Sequence, residues 1–187
     1  TIAVTVQNGL GNEQILRDFD RSTFVTMLCM VLDAERRTLT LANAGHPPPL
    51  WYRADRDAVQ LVRLRGVVLG ILPEERFTSL IEEGEVHLGA GDVVLGYSDG
   101  VNETHDEQGC LFGDQRLQHF VRAHGGLEAQ PFLAMLQGEL ERFSQGFGQF
   151  DDITAVALRA AASQETDTRA GDTAQPAARG DADVPVP

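Results

Sequence analysis

The sequence contains no lysine: all 15 of its basic residues are arginine, against 28 Asp and Glu residues, and the formal net charge is −13. This excess of negative charge would repel nucleic acid and anionic membrane surfaces, which excludes both as the main partner. The sequence also has no apolar run near the roughly 20 residues that cross a bilayer, so no membrane insertion is expected. Its start lacks the basic segment and cleavable apolar core of a signal peptide.

Cysteine is scarce as well. Cys29 and Cys110 lie far apart, and neither belongs to a pair with the spacing of a metal site or a redox motif. Cys29 stands within an apolar run and is interpreted as a small buried hydrophobic residue. Because nothing requires an oxidising compartment, the cytoplasm is the expected location.

The C-terminal end of the sequence lacks large apolar residues. From about residue 160 it is rich in Ala, Asp, Gly and Pro, so burial cannot offset the entropy of ordering it, and we predict a disordered tail over 160–187. Residues 1–159 are then one folded domain. Because the sequence begins without Met and within an apolar pattern, we expect it to be a fragment of a longer protein.

Much of the folded part carries the periodicity of β-strands. The nearly continuous apolar run FVTMLCMVLD (24–33) predicts a strand buried on both faces, and RTLTLANAG (37–45) alternates as a half-buried strand does. The short link at 34–36 joins the two as a β-hairpin. Asn12 is predicted to cap a short helix before them. Further strands are predicted at 49–52, 58–64, 79–86, 92–97 and 153–158.

Helical periodicity is concentrated late in the chain. Leu117, Phe120 and Val121 fit one helix that ends at Gly125, and Pro131 is predicted to open a second helix. Antiparallel strands with helices gathered late in the chain predict a layered α+β fold. The apolar face of the second helix is formed by Leu133, Leu136, Leu140 and Phe143.

Three carboxylates at strand ends are the candidates for chemistry. Asp99 follows the apolar strand VVLGYS, and Asp151 and Asp152 directly precede the strand ITAVAL. Carboxylates that converge at a sheet edge form a hard-oxygen site suited to Mg²⁺ or Mn²⁺, and no cluster of His and Cys competes as a zinc site. Taken singly, Asp99 with Gly100 is more typical of a tight turn than of a ligand, and Asp151 with Asp152 is more typical of a solvated loop.

Two further polar stretches also have plain interpretations. AGHPPP (44–49) is typical of a rigid polyproline connector, with His46 bonded to the backbone. Residues 89–92, GAGD, are typical of a tight turn into a strand. No rule of spacing links either stretch to the carboxylates.

Taken in order, FVTMLCMVLD, NAGHPPPL, GDVVLGYSDGVNE and DDIT resemble the SpoIIE-like branch of the metal-dependent (PPM-type, type-2C) serine/threonine protein phosphatases of bacteria. The resemblance covers about residues 10–159. It implies a β-sandwich of mostly antiparallel strands flanked by helices. Residues 1–159 would then be a phosphatase domain that is incomplete at its N-terminus.

The resemblance also implies a site. Asp99 and Asp151 would be ligands of a binuclear Mn²⁺ or Mg²⁺ centre, and Asp152 would support them from outside the ligand set. A hydroxide held by the metal ions would attack a phosphoserine or phosphothreonine, so no Ser or Cys nucleophile is needed. The implied partner is a phosphorylated bacterial regulatory protein, such as an antagonist of an anti-sigma factor.

The sequence departs from the family in one respect. The family carries two acidic motifs, Gly-Asp and Asp-x-x-Gly-x-Gly, upstream of the FVTM-like strand, and residues 1–23 contain neither. Two interpretations follow: a phosphatase of which this chain is the C-terminal part, inactive by itself, or a truncated, inactive relative that binds a signalling partner. Asp99 and Asp151 favour the first, because an inactive relative has no chemical reason to keep them.

Overall fold

The computed structural model describes residues 2–8, 24–145 and 152–161. These residues form two four-stranded sheets and a layer of helices. The predicted Asn12 helix, the predicted tail beyond residue 161 and Asp151 lie outside them. The strands are β1 Ile2–Asn8, β2 Thr26–Asp33, β3 Thr38–Ala44, β4 Leu50–Arg53, β5 Ala58–Leu61, β6 Glu83–His87, β7 Val93–Tyr97 and β8 Ala155–Arg159. The helices are α1 Glu74–Leu80, α2 Asp99–Asn102, α3 Gly113–His124 and α4 Ala129–Ser144.

The strands form two antiparallel sheets. The first has the order β1-β2-β3-β6 and the second the order β5-β4-β7-β8. The predicted β2–β3 hairpin is confirmed, with Met30 opposite Leu41 and a tight link in which Arg37 has a positive φ of 54°. The antiparallel α+β sandwich predicted from the sequence is therefore confirmed.

The first core lies between the two sheets. Leu28 and Met30 of β2 are fully buried there with Leu41 of β3, and Val94 of β7 meets them from the second sheet. The prediction that β2 is buried on both faces is wrong, because its alternate residues are only partly buried. The apolar run of β2 therefore has one face that is buried in the core and one face that is only partly covered.

The second core lies between the other face of the second sheet and the helices. Val93, Leu95 and Tyr97 of β7 pack here, so it is β7 that is buried on both faces. Both predicted helices are confirmed, and α3 ends at Gly125 as predicted. The residues of α3 and α4 buried in this core are Leu117, Phe120, Val121, Phe132, Leu136 and Leu140, with Leu133 and Phe143 partly buried beside them.

Several boundaries differ from the prediction: β5 ends at Leu61 and not at residue 64, and β8 begins at Ala155 and not at residue 153. The predicted strand at 79–86 is wrong over its first half, because α1 extends to Leu80 and β6 begins only at Glu83. Pro73 precedes α1, and Glu74 and Glu75 in its first turn favour a helix through the helix dipole. Pro131 does not open α4 but is its third residue, where the missing N–H has no partner within the helix.

Replacing Leu136 with Ala should lower the free energy of unfolding by about 2–5 kcal/mol, because Leu136 is only 2% exposed in the second core. Its neighbour Met135 is 41% exposed, so Met135→Ala should change it by less than about 0.5 kcal/mol. Urea unfolding of both variants measures the difference. Equal effects of the two substitutions would contradict the packing of α4 on the sheet.

Candidate functional site

The candidate Asp99 lies where β7 ends. It is the first residue of the short helix α2, and the backbone before it, at Ser98, is still extended. The half-buried Asp99 side chain accepts a hydrogen bond through Oδ1 from the N–H of Gly100 at 3.0 Å. The N–H of Glu103 donates to the Asp99 carbonyl at 2.8 Å. Asp99 thus starts a helical turn at a sheet end, which is more than the two-residue turn that Asp-Gly alone suggests.

Ser98 brings the second candidate segment to the same place. β7 pairs with β8 as far as Tyr97 and Ala155. Beyond that pair, the N–H of Ser98 donates to the carbonyl of Thr154 at 2.9 Å, and the Ser98 hydroxyl donates to the carbonyl of Asp152 at 2.9 Å. The SDG and DDIT stretches, more than 50 residues apart in the sequence, are therefore neighbours at one end of the second sheet.

His46 reaches this end from the first sheet. Its backbone N–H donates to Oδ1 of Asn43 at 2.8 Å, and Nδ2 of Asn43 donates back to the His46 carbonyl at 2.9 Å. The ring Nδ1 lies 3.2 Å from the Thr26 hydroxyl, and buried Nε2 has no partner at hydrogen-bond geometry. The AGHPPP stretch predicted a backbone-bonded histidine in a connector, and the backbone bonds are present, but the sequence pattern did not indicate the position of the ring near the SDG stretch.

The pKa of His46 is lowered, because burial of the ring penalises its charged form. The nearby backbone of Tyr97 and the negative charge of Asp99 oppose this effect without cancelling it. Since both groups act on the ring, His46 of the NAGHPPPL stretch lies within electrostatic range of the SDG stretch. His46 is thus a neutral ring next to a carboxylate at neutral pH.

The lowered pKa predicts how stability depends on pH. The unfolded chain takes up a proton at His46 near the ordinary pKa of 6.5, whereas the folded chain takes it up only at lower pH. The contribution of His46 to the free energy of unfolding is therefore complete above about pH 6.5 and falls as the pH drops toward the folded pKa. NMR titration of the His46 ring, assigned with His46→Gln, should give a midpoint below 6.5. A midpoint at or above 6.5 would contradict the buried position.

The residues at this sheet end match a hard cation in chemistry but are only part of a ligand set. Carboxylate oxygen is the donor that Mg²⁺ and Mn²⁺ prefer, and Asp99 offers it at a fixed strand end. Among the residues that the structure describes, no three His, Cys, Asp or Glu side chains lie together to hold a metal ion. The side chain of Asp152 is exposed. Asp99 has the chemistry of one such ligand, and the described residues do not assemble a complete set.

Comparison with known proteins places most of the chain in one group. Residues 9–161 match the model of the family described as Stage II sporulation protein E (SpoIIE). The phosphoserine phosphatase RsbU of Bacillus subtilis is 29% identical over 148 residues, which are 79% of this chain and 42% of RsbU. The chain spans less than half the length of the curated relatives it matches.

Solved structures support the fold. The phosphatase domain of the cell fate determinant SpoIIE from B. subtilis, presoaked with Mn, superposes with a TM-score of 0.57 at 20% identity, over 81% of this chain and 64% of that one. The SiaA-PP2C domain of Pseudomonas aeruginosa superposes with a TM-score of 0.61 at 24% identity, over 78% of this chain and 56% of that one. The sandwich is thus the fold of PP2C-type phosphatase domains.

No helix in the described part of the chain is long and apolar enough to span a membrane.

Proposed function

The chain belongs to the SpoIIE family, and from this premise we propose that it is part of a metal-dependent protein phosphatase that hydrolyses phosphoserine or phosphothreonine on a bacterial regulatory protein. The observation that carries the proposal is the meeting of the SDG and DDIT stretches at one end of the second sheet. Residues 1–159 would be the C-terminal part of the phosphatase domain, with the remaining ligands in upstream motifs.

In this proposal the carboxylates of the chain hold the metal ions. Asp99 and Asp151 would be ligands, and Asp152 would orient its neighbour rather than bind a metal itself. A pair of Mn²⁺ or Mg²⁺ ions would acidify a water molecule and neutralise the phosphoryl oxygens. Such help is needed, because uncatalysed hydrolysis of a phosphate monoester is among the slowest reactions known.

The proposed substrate follows from a relative with a named activity. RsbU is a phosphoserine phosphatase, and the family resemblance adds phosphorylated regulators, such as antagonists of anti-sigma factors, as the substrate class. A phosphorylated protein with a basic surface around the phosphoserine would suit a chain with a net charge of −13. The cytoplasm, where such regulators act, is the proposed location.

The second candidate function is an inactive module that binds a signalling partner. One observation favours it: residues 1–23 contain neither of the two upstream acidic motifs of the family. In that case the sandwich would present its surface to a partner without turning over a phosphate ester.

The two candidates are separated by an activity measurement. A longer chain that carries the Gly-Asp and Asp-x-x-Gly-x-Gly motifs should release phosphate from a phosphoserine protein in the presence of Mn²⁺ and lose this activity in EDTA. The 187-residue chain should show little or no turnover, because part of the ligand set is missing. A longer chain that binds its partner but releases no phosphate would favour the inactive module.

A further inference from the structure

We propose that Ser98 is a positioning residue for the proposed metal site. It fixes residues 152–154, and with them the DDIT stretch, beside Asp99. The inference rests on the proposed function. Ser98 is 1% exposed and directly precedes Asp99, so its side chain points into the protein at the end of β7. Three hydrogen bonds tie it to the segment that leads from Asp151 into β8.

The Ser98 hydroxyl extends the pairing of β7 and β8 beyond the last residue pair. It donates to the Asp152 carbonyl and accepts from the Thr154 N–H, both at 2.9 Å. One side chain thus bonds two peptide groups of the opposite segment, in addition to the bond made by its own N–H. Asp152 is covalently joined to Asp151, so the hydroxyl acts one residue away from the proposed ligand.

Loss of the Ser98 hydroxyl should alter the position of residues 152–154 more than it lowers the stability of the fold. Asp152, Ile153 and Thr154 are exposed, so water can replace the hydrogen bonds that they lose. The freed segment would, however, gain conformational freedom, and a metal site would have to order it again on binding. Ser98→Ala should therefore weaken metal binding while it leaves the melting temperature nearly unchanged.

The experiment uses the full 187-residue chain, with two measurements on each variant. Amide exchange of Thr154, followed by NMR, reports on the hydrogen bond itself. Mn²⁺ titration, followed by paramagnetic broadening of resonances next to Asp99, reports on binding. Ser98→Ala should accelerate Thr154 exchange and weaken Mn²⁺ affinity by about tenfold, as for other residues that orient metal ligands. Ser98→Thr, which keeps the hydroxyl, should restore both.

Val93→Ala is the matched control. Val93 is fully buried at the other end of β7, so its truncation should lower the melting temperature without changing Mn²⁺ affinity. Unchanged affinity in Ser98→Ala, beside clear binding by the unmodified chain, would overturn the role of Ser98 alone. If the unmodified chain shows no broadening, the titration is made on a longer chain that carries the upstream acidic motifs. No broadening there would overturn the metal site itself and this role with it.

Discussion

Asp99→Asn should abolish Mn²⁺-dependent hydrolysis of a phosphoprotein and leave the fold intact. Asparagine keeps an oxygen that can accept the hydrogen bond from the Gly100 N–H, and it forms the same kind of turn. It removes the negative charge by which a carboxylate binds a hard cation more tightly than a neutral amide oxygen does. The melting temperature should therefore stay within about 3 °C of the unmodified protein. The activity is measured as phosphate release by a longer chain that carries the upstream acidic motifs.

Two further aspartates serve as comparisons in the same assay. Asp151→Asn should abolish activity as Asp99→Asn does, because both are proposed ligands. Asp152→Asn should do less harm, because its exposed side chain is assigned a supporting role. Full activity in Asp99→Asn would refute its assignment as a ligand. Loss of folding together with activity would instead assign Asp99 to the turn alone.

Asp92→Ala should lower the free energy of unfolding by about 2–4 kcal/mol, because three donors lose a charged partner at once. Asp92 is 3% exposed. Its Oδ2 accepts from Nε1 of Trp51 at 3.0 Å and from the Gly89 N–H at 2.9 Å, and its Oδ1 accepts from the Ala54 N–H at 2.9 Å. The Asp92 carboxylate thus links the turn before β7 both to β4 and to the turn that follows β4. Calorimetry should show a melting temperature lower by about 5–15 °C.

Asp55→Ala is the control for Asp92, since Asp55 lies in the same region but at the surface. Its ion pairs with Arg53 and Arg56, at 3.3 and 3.4 Å, involve an exposed carboxylate. Removing it should cost less than about 1 kcal/mol. If Asp92→Ala were as mild as Asp55→Ala, the carboxylate would not be the link between these turns.

The strongly alternating strand β3 could be predicted from the sequence nearly to its ends, and β6, with its single buried residue, could not. β3 buries Leu39 and Leu41 on one face, and this period of two is visible in the sequence. β6 buries only Val86, and α1 buries no residue, so neither has a pattern that marks its ends. The error at 79–86 arose at the boundary between α1 and β6. There the structure depends on hydrogen bonding and packing partners and not on local periodicity.

The candidate site could be predicted only in part from the sequence, for a different reason. Asp99 was recognisable as a strand-end carboxylate, but its proximity to the DDIT stretch depends on pairing between β7 and β8, which are far apart in the sequence. Only the family resemblance could indicate that proximity in advance. Ser98 was missed because a serine before Asp-Gly is typical of any turn, and its two-sided hydrogen bonding appears only when the sheet is assembled.

The most direct test of Asp99 as a metal ligand is anomalous diffraction at the manganese edge, from crystals of a longer chain that carries the upstream acidic motifs, soaked in Mn²⁺. We predict an anomalous peak at the end of the second sheet, within coordination distance of the carboxylates of Asp99 and Asp151. A well-occupied manganese peak elsewhere, with Asp99 bonded only to backbone groups of its own turn, would contradict the account.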